Sequence, residues 1–386
     1  MEKVSLRIGF YTDTALPKLG GQEIVVDELA RQFVEMGHKV NVLAPWPRAP
    51  MRTNDREFPY AVARHPRFYS TRRMVWAYRW FLLRWAKENQ FDVLHCHGLY
   101  PCGYLATLCR DRLKLPIVMT SHGGDVYEQS SRLRDPLLRS RYELAARSAD
   151  RLISISDFTR RGLLRMGADE NRIVNIPNGV NFREFSTSTP RPAQIPDDLL
   201  PGKYFLFIGR LVARKGVDTL LRATAQITSM PSDIRLAIAG GGDERDALQS
   251  LCRQLGLEHR VHFLGPVRGA LKNYLFQNSI CAIVPSHQWE AFGLVVVESY
   301  AAGRPVITTR HPGLADLVNE GITGFVVDPE SVPQLAQAMQ KMIDNPVATN
   351  QMGENAQSKA RTFDWTDVAA QHIEAYKGLL NGHGAL

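Results

Sequence analysis

The sequence predicts an α/β protein made of two doubly wound, mostly parallel halves. Three observations carry that prediction. Strand-like and helix-like segments alternate through the first half of the chain. A Ser-, Thr- and Pro-rich stretch at 186–202 (STSTPRPAQIPDDLLPG) interrupts the alternation, which then restarts. The length, 386 residues, is too great for one ordinary compact domain and fits two.

Taken in order, Leu6–Tyr11 is an apolar strand. Gln22–Met36 follows as a helix with Val25, Leu29, Phe33 and Met36 on one face, and Gly37 is a natural stop. Val40–Ala44 is a second strand, closed off by Pro45 and Pro47. Phe91–His95, Ile117–Ser121, Arg151–Ile155 and Arg172–Ile176 are further short strands between helical patterns. Beyond 202, Tyr204–Ile208 is a strand, Val217–Ile227 a helix and Ile234–Ala239 a strand. Val261–Leu264, Cys281–Val284 and Pro305–Thr309 complete the second set of strands. Leu294–Ala302 is open: Leu294–Val297 has strand propensity, while the glycine before it and Ser-Tyr-Ala-Ala-Gly after it fit a helix. The tail, Phe363–Leu380, spaces Phe363, Trp365, Val368, Ala369, Ile373, Tyr376 and Leu380 as an amphipathic helix.

Composition narrows the class. The chain is 44% hydrophobic and 22% charged, as in a soluble globular protein, and its apolar runs are far shorter than a membrane span. The N-terminus lacks the apolar core of a signal peptide. Five cysteines with mostly apolar neighbours and no CxxC read as buried thiols in a reducing, cytoplasmic setting. The net charge is +8, and most of that excess lies between Arg48 and Arg84, where nine Arg face only Asp55 and Glu57.

Ligands of open parallel sheets bind beyond the carboxyl ends of the strands, so the loops there hold the chemistry. After Tyr204–Ile208 come Gly209-Arg210-Leu211 and then Lys215-Gly216. Two cations beside glycines suit a diphosphate, Arg as a bidentate fork and Lys as a point charge; they also read as two solvated surface cations. Gly240-Gly241-Gly242-Asp243 permits close backbone approach and equally reads as a tight turn. Pro285–Gly293 (PSHQWEAFG) leads into Leu294; if a helix starts near Phe292, its first amides face an anion. Glu290 then lies just outside that terminus and Glu298 in the second turn, where carboxylates could bond sugar hydroxyls, or serve only as a helix-start acid and an exposed residue. Thr308–Asp316 (TTRHPGLAD) is a fourth loop with glycine and an acid.

Together these pieces carry a resemblance. Gly209-Arg210-Leu211…Lys215-Gly216, Pro285-Ser286…Glu290-Ala291-Phe292-Gly293-Leu294…Glu298, Ala302-Gly303-Arg304-Pro305-Val306 and Gly321–Val326 resemble the large retaining glycosyltransferase family 4, whose signature is two glutamates separated by seven residues. In the first half, Gly20-Gly21, Ser121-His122-Gly123-Gly124-Asp125, Ser154-Ile155-Ser156 and Ile176–Val180 resemble the same family. The resemblance implies the GT-B fold: two facing Rossmann-like domains with a C-terminal helix crossing back. The expected division is an acceptor-side domain over 1–185, a linker at 186–202, a nucleotide-sugar domain over 203–362, and 363–386 packing back on the first domain.

It further implies residue roles. Arg210 and Lys215 would neutralise a leaving diphosphate, Glu298 would bind the donor ribose, and Glu290 would contact sugar hydroxyls with the amides of Phe292, Gly293 and Leu294. Gly20, Gly21 and Gly209 would lie against the donor, and His122 would contact the sugar from the other domain. Cations and a helix terminus can do this without a metal or cofactor, and no DxD-type acidic pair sits in a strand-end loop. Departures are few: the fourth loop, often Gly-Gly…Glu in the family, reads Pro312–Asp316 here, and Asn181 stands where Asp is common. The expected activity is transfer of a hexose-type sugar from a UDP- or GDP-type donor to a polysaccharide-precursor, lipid-linked or glycolipid acceptor. The rivals are a sugar-nucleotide epimerase, a phosphorylase and a non-catalytic nucleotide-sugar-binding subunit.

His95-Cys96-His97 could hint at a metal, but no further ligands occur at zinc spacing, and a strand-end loop is the better reading. GxGxxG and GxxxxGK[ST] are both missing, against a dehydrogenase or P-loop enzyme. Finally, Arg72–Lys87 (RRMVWAYRWFLLRWAK) reads as a helix with Met74, Tyr78, Phe81, Leu82 and Trp85 on a core side. Arg72, Arg73, Arg79, Arg84 and Lys87 take the other side, with Trp76, Trp80 and Leu83 among them. That pattern fits an anionic inner membrane face, or an ordinary helix with solvated charges; RNA is disfavoured, since no nucleic-acid motif supports it.

Overall fold

The computed structural model describes residues 5–383 apart from 19, 49–50, 52 and 68–73. Arg72 and Arg73 therefore lie outside the described residues. The chain divides into two compact units, Met1–Asn178 with Trp365–Leu386, and Gly179–Asp364.

The first unit is a seven-stranded parallel sheet: β1 (Arg7–Thr12), β2 (Lys39–Pro45), β3 (Ala61–His65), β4 (Val93–His97), β5 (Ile117–Ser121), β6 (Arg151–Ser154) and β7 (Ile173–Asn175). Their order across the sheet is β3-β2-β1-β4-β5-β6-β7, the doubly wound pattern in which the chain starts in the middle and reverses direction at β1/β4. Helices α1 (Gly21–Glu35), α2 (Val75–Asn89), α3 (Pro136–Ser148) and α4 (Asp157–Arg165) flank it. Gly9 in β1 shows why the central strand accepts a residue with no side chain. A Cβ there would come within 2.9 Å of the rings of Trp85 and Phe91, which pack against each other over the strand. Strand β3 was not read from the sequence. Its pattern is partly exposed because it is an edge strand, so it lacks the apolar run of its neighbours.

The C-terminal helix, Trp365–His383, belongs to this first unit. Trp365, Val368, Ala369, Ile373 and Tyr376 are its buried face, and Tyr376 packs edge-on to Phe33 of α1.

The second unit is a six-stranded parallel sheet of β8 (Tyr204–Ile208), β9 (Arg235–Ala239), β10 (Val261–Gly265), β11 (Ala282–Val284), β12 (Val306–Thr309) and β13 (Gly324–Val327), in the order β10-β9-β8-β11-β12-β13. Its longer helices are α5 (Val217–Gln226), α6 (Arg245–Gln254), α7 (Gly269–Asn278), α8 (Leu294–Ala301), α9 (Val332–Asp344) and α10 (Pro346–Ala360). The ambiguous Leu294 segment is thus a helix. Val296, Val297, Tyr300 and Ala301 are all fully buried, so tertiary packing on both sides outweighs the strand preference of a Leu-Val-Val-Val run.

The stretch 186–202 is built into the second unit and does not hang between two bodies. Ile195 and Leu199 are buried, Thr189 N–H donates to Gln277, and Asp198 pairs with Arg235 at 2.7 Å. Its prolines and polar residues make an irregular but packed segment. The passage between units falls at Asn178/Gly179 and Asp364/Trp365, positions without any compositional mark.

His95 and His97 correct another expectation. Both lie inside β4 and are fully buried, not in a loop at its end. As alternate strand residues they share a face, and their rings stack at 4.4 Å. Among the described residues no group of three or more His, Cys, Asp or Glu side chains is arranged to hold a metal, and no helix is long and apolar enough to cross a membrane.

Candidate active site

In the second unit, four loops at the carboxyl ends of β8, β9, β11 and β12 converge. The close packing of backbone explains their glycines. Gly216 has φ +69°, and a Cβ there would lie 1.9 Å from the carbonyl oxygen of Pro285. That contact ties the Lys215 loop to the β11 loop, and the His287 amide donating to the Arg214 carbonyl at 2.8 Å reinforces it.

The tie brings Lys215 and Glu290 together. Lys215 Nζ is 2.5 Å from Glu290 Oε1, to which Arg214 also donates at 3.2 Å and the Ser286 hydroxyl at 3.0 Å. Burial pushes the Lys215 ammonium below its usual range, and Glu290 beside it partly restores it. Burial would raise the Glu290 carboxyl, but Lys215 and Arg214 outweigh that and hold it lowered. Each group thus favours the charged form of the other against the burial that opposes it. Arg210 is exposed and makes no side-chain hydrogen bond or ion pair among the described residues, yet its charge acts on Lys215. Gly209, its neighbour, is anchored by its amide to Ala239 at 3.0 Å.

Helix α8 starts at Leu294 after Gly293, which has φ +86°. The amides of Phe292, Gly293 and Leu294 donate to no acceptor among the described residues. Three open amides at a helix start, with Arg210, Arg214 and Lys215 nearby in the fold, make an anion-binding arrangement. Phe292 itself is buried against Phe363, which fixes the loop. Glu298, one turn further on, is buried and paired with Lys272 of α7 at 2.6 Å. The departing loop at 312–316 keeps its place: Gly313 lies over the Glu290 and Ala291 carbonyls, and Asp316 accepts from the Gly313 amide at 3.4 Å.

In the first unit, Gly20 caps α1 in extended conformation and Gly21 is its first residue. A Cβ on Gly20 would sit 2.5 Å from a carboxylate oxygen of Glu23, which is buried, bonded to the Thr14 hydroxyl and paired with Lys18 at 2.8 Å. His122 follows β5 in a loop shaped by Asp125, whose carboxylate accepts from Ser121 Oγ at 2.7 Å, the Gly123 amide at 3.2 Å and the Leu99 amide at 3.0 Å. Nε2 of His122 is 3.2 Å from Nδ1 of His97, and burial pushes the His122 imidazole down to about 4.

Of the residues singled out from sequence, Lys215, Glu290, Arg210, Phe292, Gly293 and Leu294 gather at one end of the second sheet, with Glu298 a turn deeper. Gly20, Gly21 and His122 sit at the carboxyl ends of β1 and β5 in the first. Sequence reading gave no role to Arg214, Ser286, Lys272 or Glu23, and took His97 only as part of a strand-end loop. Arg214 and Ser286 were in view as neighbours of Lys215 and Glu290; Lys272 and Glu23 sit in unremarkable helical sequence and gave no signal.

The comparisons follow the same division. The model of "Glycosyl transferases group 1" matches residues 194–359, and that of "Glycosyltransferase Family 4" matches residues 19–184. The phosphatidyl-myo-inositol mannosyltransferase of Mycobacterium leprae is 30% identical over 380 residues, covering 96% of either chain. The D-inositol 3-phosphate glycosyltransferase 2 of Catenulispora acidiphila is 31% identical over 306 residues, 75% of this chain and 71% of that one. Among solved structures, Anabaena HepE in complex with UDP superposes with a TM-score of 0.82 at 22% identity, over 97% of this chain and 100% of that one.

Proposed function

The chain belongs to the group 1, family 4 glycosyltransferases and has their GT-B fold, and from that premise we propose that it moves a hexose-type sugar from a nucleoside-diphosphate sugar with retention of anomeric configuration. The observation that carries this is the Lys215–Glu290 pair beside three open amides at the start of α8. As the diphosphate leaves, negative charge grows on its oxygens and positive charge on the anomeric carbon. Lys215 and Arg210 neutralise the former, and the fixed amides of Phe292, Gly293 and Leu294 bind where an oxyanion or sugar hydroxyl sits. Glu290, held by three donors through Oε1, keeps Oε2 for a sugar hydroxyl. Glu298 takes the ribose, and His122 contacts the sugar. On this reading preformed cations do the work of a divalent metal, so chelator leaves turnover unchanged.

UDP in HepE supports a UDP-sugar as the first donor to test, and the mannosyltransferase of M. leprae supports a hexose as the group moved. The acceptor on this reading is a lipid-linked sugar, glycolipid or polysaccharide precursor. Helix α2 supports a membrane-side acceptor. Trp76 and Trp80 are 69% and 51% exposed, and Arg84 lies over the Trp80 ring at 5.4 Å. Leu83 packs into the core cluster and Arg79 lies beside Cys109, so the exposed patch is narrower than the sequence wheel implied.

The deciding experiment incubates the protein with UDP-, GDP- and ADP-sugars and measures released nucleoside diphosphate. Hydrolysis of one donor, lost in Lys215→Ala and Glu290→Ala, supports the reading; no release and no thermal stabilisation by any nucleotide overturns it. NMR of the product's anomeric centre tests retention. Flotation with anionic vesicles tests the membrane face: equal flotation of wild type and Trp76→Ala/Trp80→Ala overturns it.

A further inference from the structure

The mechanism above uses His122 but leaves the buried histidine next to it without a task. His97 is fully buried in β4, and its Nδ1 lies 3.2 Å from Nε2 of His122 with the two rings stacked at 5.4 Å and 19°. On the far side His97 stacks on His95, but that ring is satisfied elsewhere: Nδ1 bonds the Tyr376 hydroxyl at 2.6 Å and Nε2 bonds Thr120 Oγ1 at 2.7 Å. The His97–His122 contact is thus a closed pair of two imidazoles. Both rings are neutral at physiological pH, since burial depresses each. A hydrogen bond between two neutral rings contains one proton, and which ring supplies it fixes both tautomers.

The unpaired nitrogen decides the direction. His97 Nε2 is enclosed and has no partner among the described residues. If His122 donated, His97 would have to carry its own proton on Nε2, leaving a buried N–H with no acceptor. If His97 donates from Nδ1, Nε2 is a bare acceptor, the less costly group to leave unpaired. His122 as a residue is only half-buried, and the one side-chain hydrogen bond it makes among the described residues is through Nε2, which leaves Nδ1 as the nitrogen available to a ligand.

We propose that His97 is a positioning residue for His122: its Nδ1–H donates to Nε2 of His122 and holds that ring in the tautomer protonated on Nδ1, so that the open nitrogen presents a proton donor to a hydroxyl oxygen of the transferred sugar. This rests on the reading of His122 as the sugar-contacting histidine. The backbone of β4 makes the arrangement rigid, because His97 sits within a strand paired on both sides while His122 sits in a loop.

Two measurements test it. Imidazole ¹⁵N–¹H NMR on the full-length, histidine-labelled protein reads the tautomer without any ligand. Wild type should show His122 protonated on Nδ1, and His97→Phe should show a mixture; protonation of wild-type His122 on Nε2 overturns the proposal. Donor hydrolysis, with UDP-glucose as first probe and otherwise the sugar the nucleotide panel selects, reads the consequence. His97→Phe keeps an aromatic ring but loses the donor, and should lower kcat by ~10-fold or more with KM within ~2-fold. His97→Asn, whose amide falls near the position of Nδ1, should recover most of that loss; a merely structural role would show equal losses tracking the melting temperature. Wild-type turnover in His97→Phe with an inactive His122→Asn overturns this proposal alone. Wild-type turnover in both variants overturns the reading of His122 as well.

Discussion

Lys215 Nζ lies 2.5 Å from Glu290 Oε1, joining a loop after β8 to a loop after β11 across 75 residues of sequence. Each group is partly buried, with side-chain exposures of 18% and 14%, so each depends on the other for its charge. Removing one leaves a poorly solvated charge, and the effect extends beyond a lost contact. Lys215→Ala should reduce donor turnover by about 10²–10³-fold, the scale of losing one group that stabilises transition-state charge. Glu290→Gln, which keeps the shape and one acceptor, should fall less than Glu290→Ala. Steady-state kinetics of nucleoside diphosphate release checks both, and equal activity of all three variants with wild type would remove the pair from the mechanism.

Glu298 is expected to act on binding rather than on the chemical step, since it lies a turn inside α8 and pairs with Lys272. Glu298→Ala should weaken nucleotide binding by about 10–100-fold, the range for hydrogen bonds to a charged group, with kcat changed little. Titration calorimetry with the nucleoside diphosphate alone reads this without an acceptor.

The first unit should lose stability in mild acid. Burial pushes His122 and His372 down to about 4 from an ordinary value of 6.5. Between those values the unfolded chain binds more protons than the folded one. Stability is thus fully present above about pH 6.5 and falls as pH drops toward 4. At pH 5 each histidine should cost up to about 2 kcal/mol. Denaturant unfolding at pH 7 and pH 5 measures the difference, and His372→Phe should shrink it.

The Tyr376 hydroxyl bonds His95 Nδ1 at 2.6 Å within the core of the first unit. Tyr376→Phe removes the bond and leaves a buried imidazole nitrogen unpaired. A loss of about 1–3 kcal/mol is expected in urea unfolding, with the second unit's nucleotide affinity unaffected.

Much of the second unit was legible in sequence because its strands are apolar runs and its site lies in short loops directly after them. Tyr204–Ile208 is recovered with both ends correct, and Arg210, Lys215, Glu290 and Glu298 stand in motifs whose order the fold preserves. The edge strand Ala61–His65 was not legible, since one-sided burial leaves no long apolar run. The break at 186–202 was misread, since proline-rich polar sequence looks the same whether it is free or packed on Arg235 and Gln277.

The sequence by itself determined the doubly wound class, the family and the residue types at the strand ends, because periodicity and short motifs are local. Tertiary structure alone decided that Leu294–Ala301 is helical, that Arg214 and Ser286 share Glu290, that Lys272 meets Glu298, and that His97 meets His122. Those facts depend on which strands become neighbours, and burial between neighbouring elements outweighs the preference of any single segment.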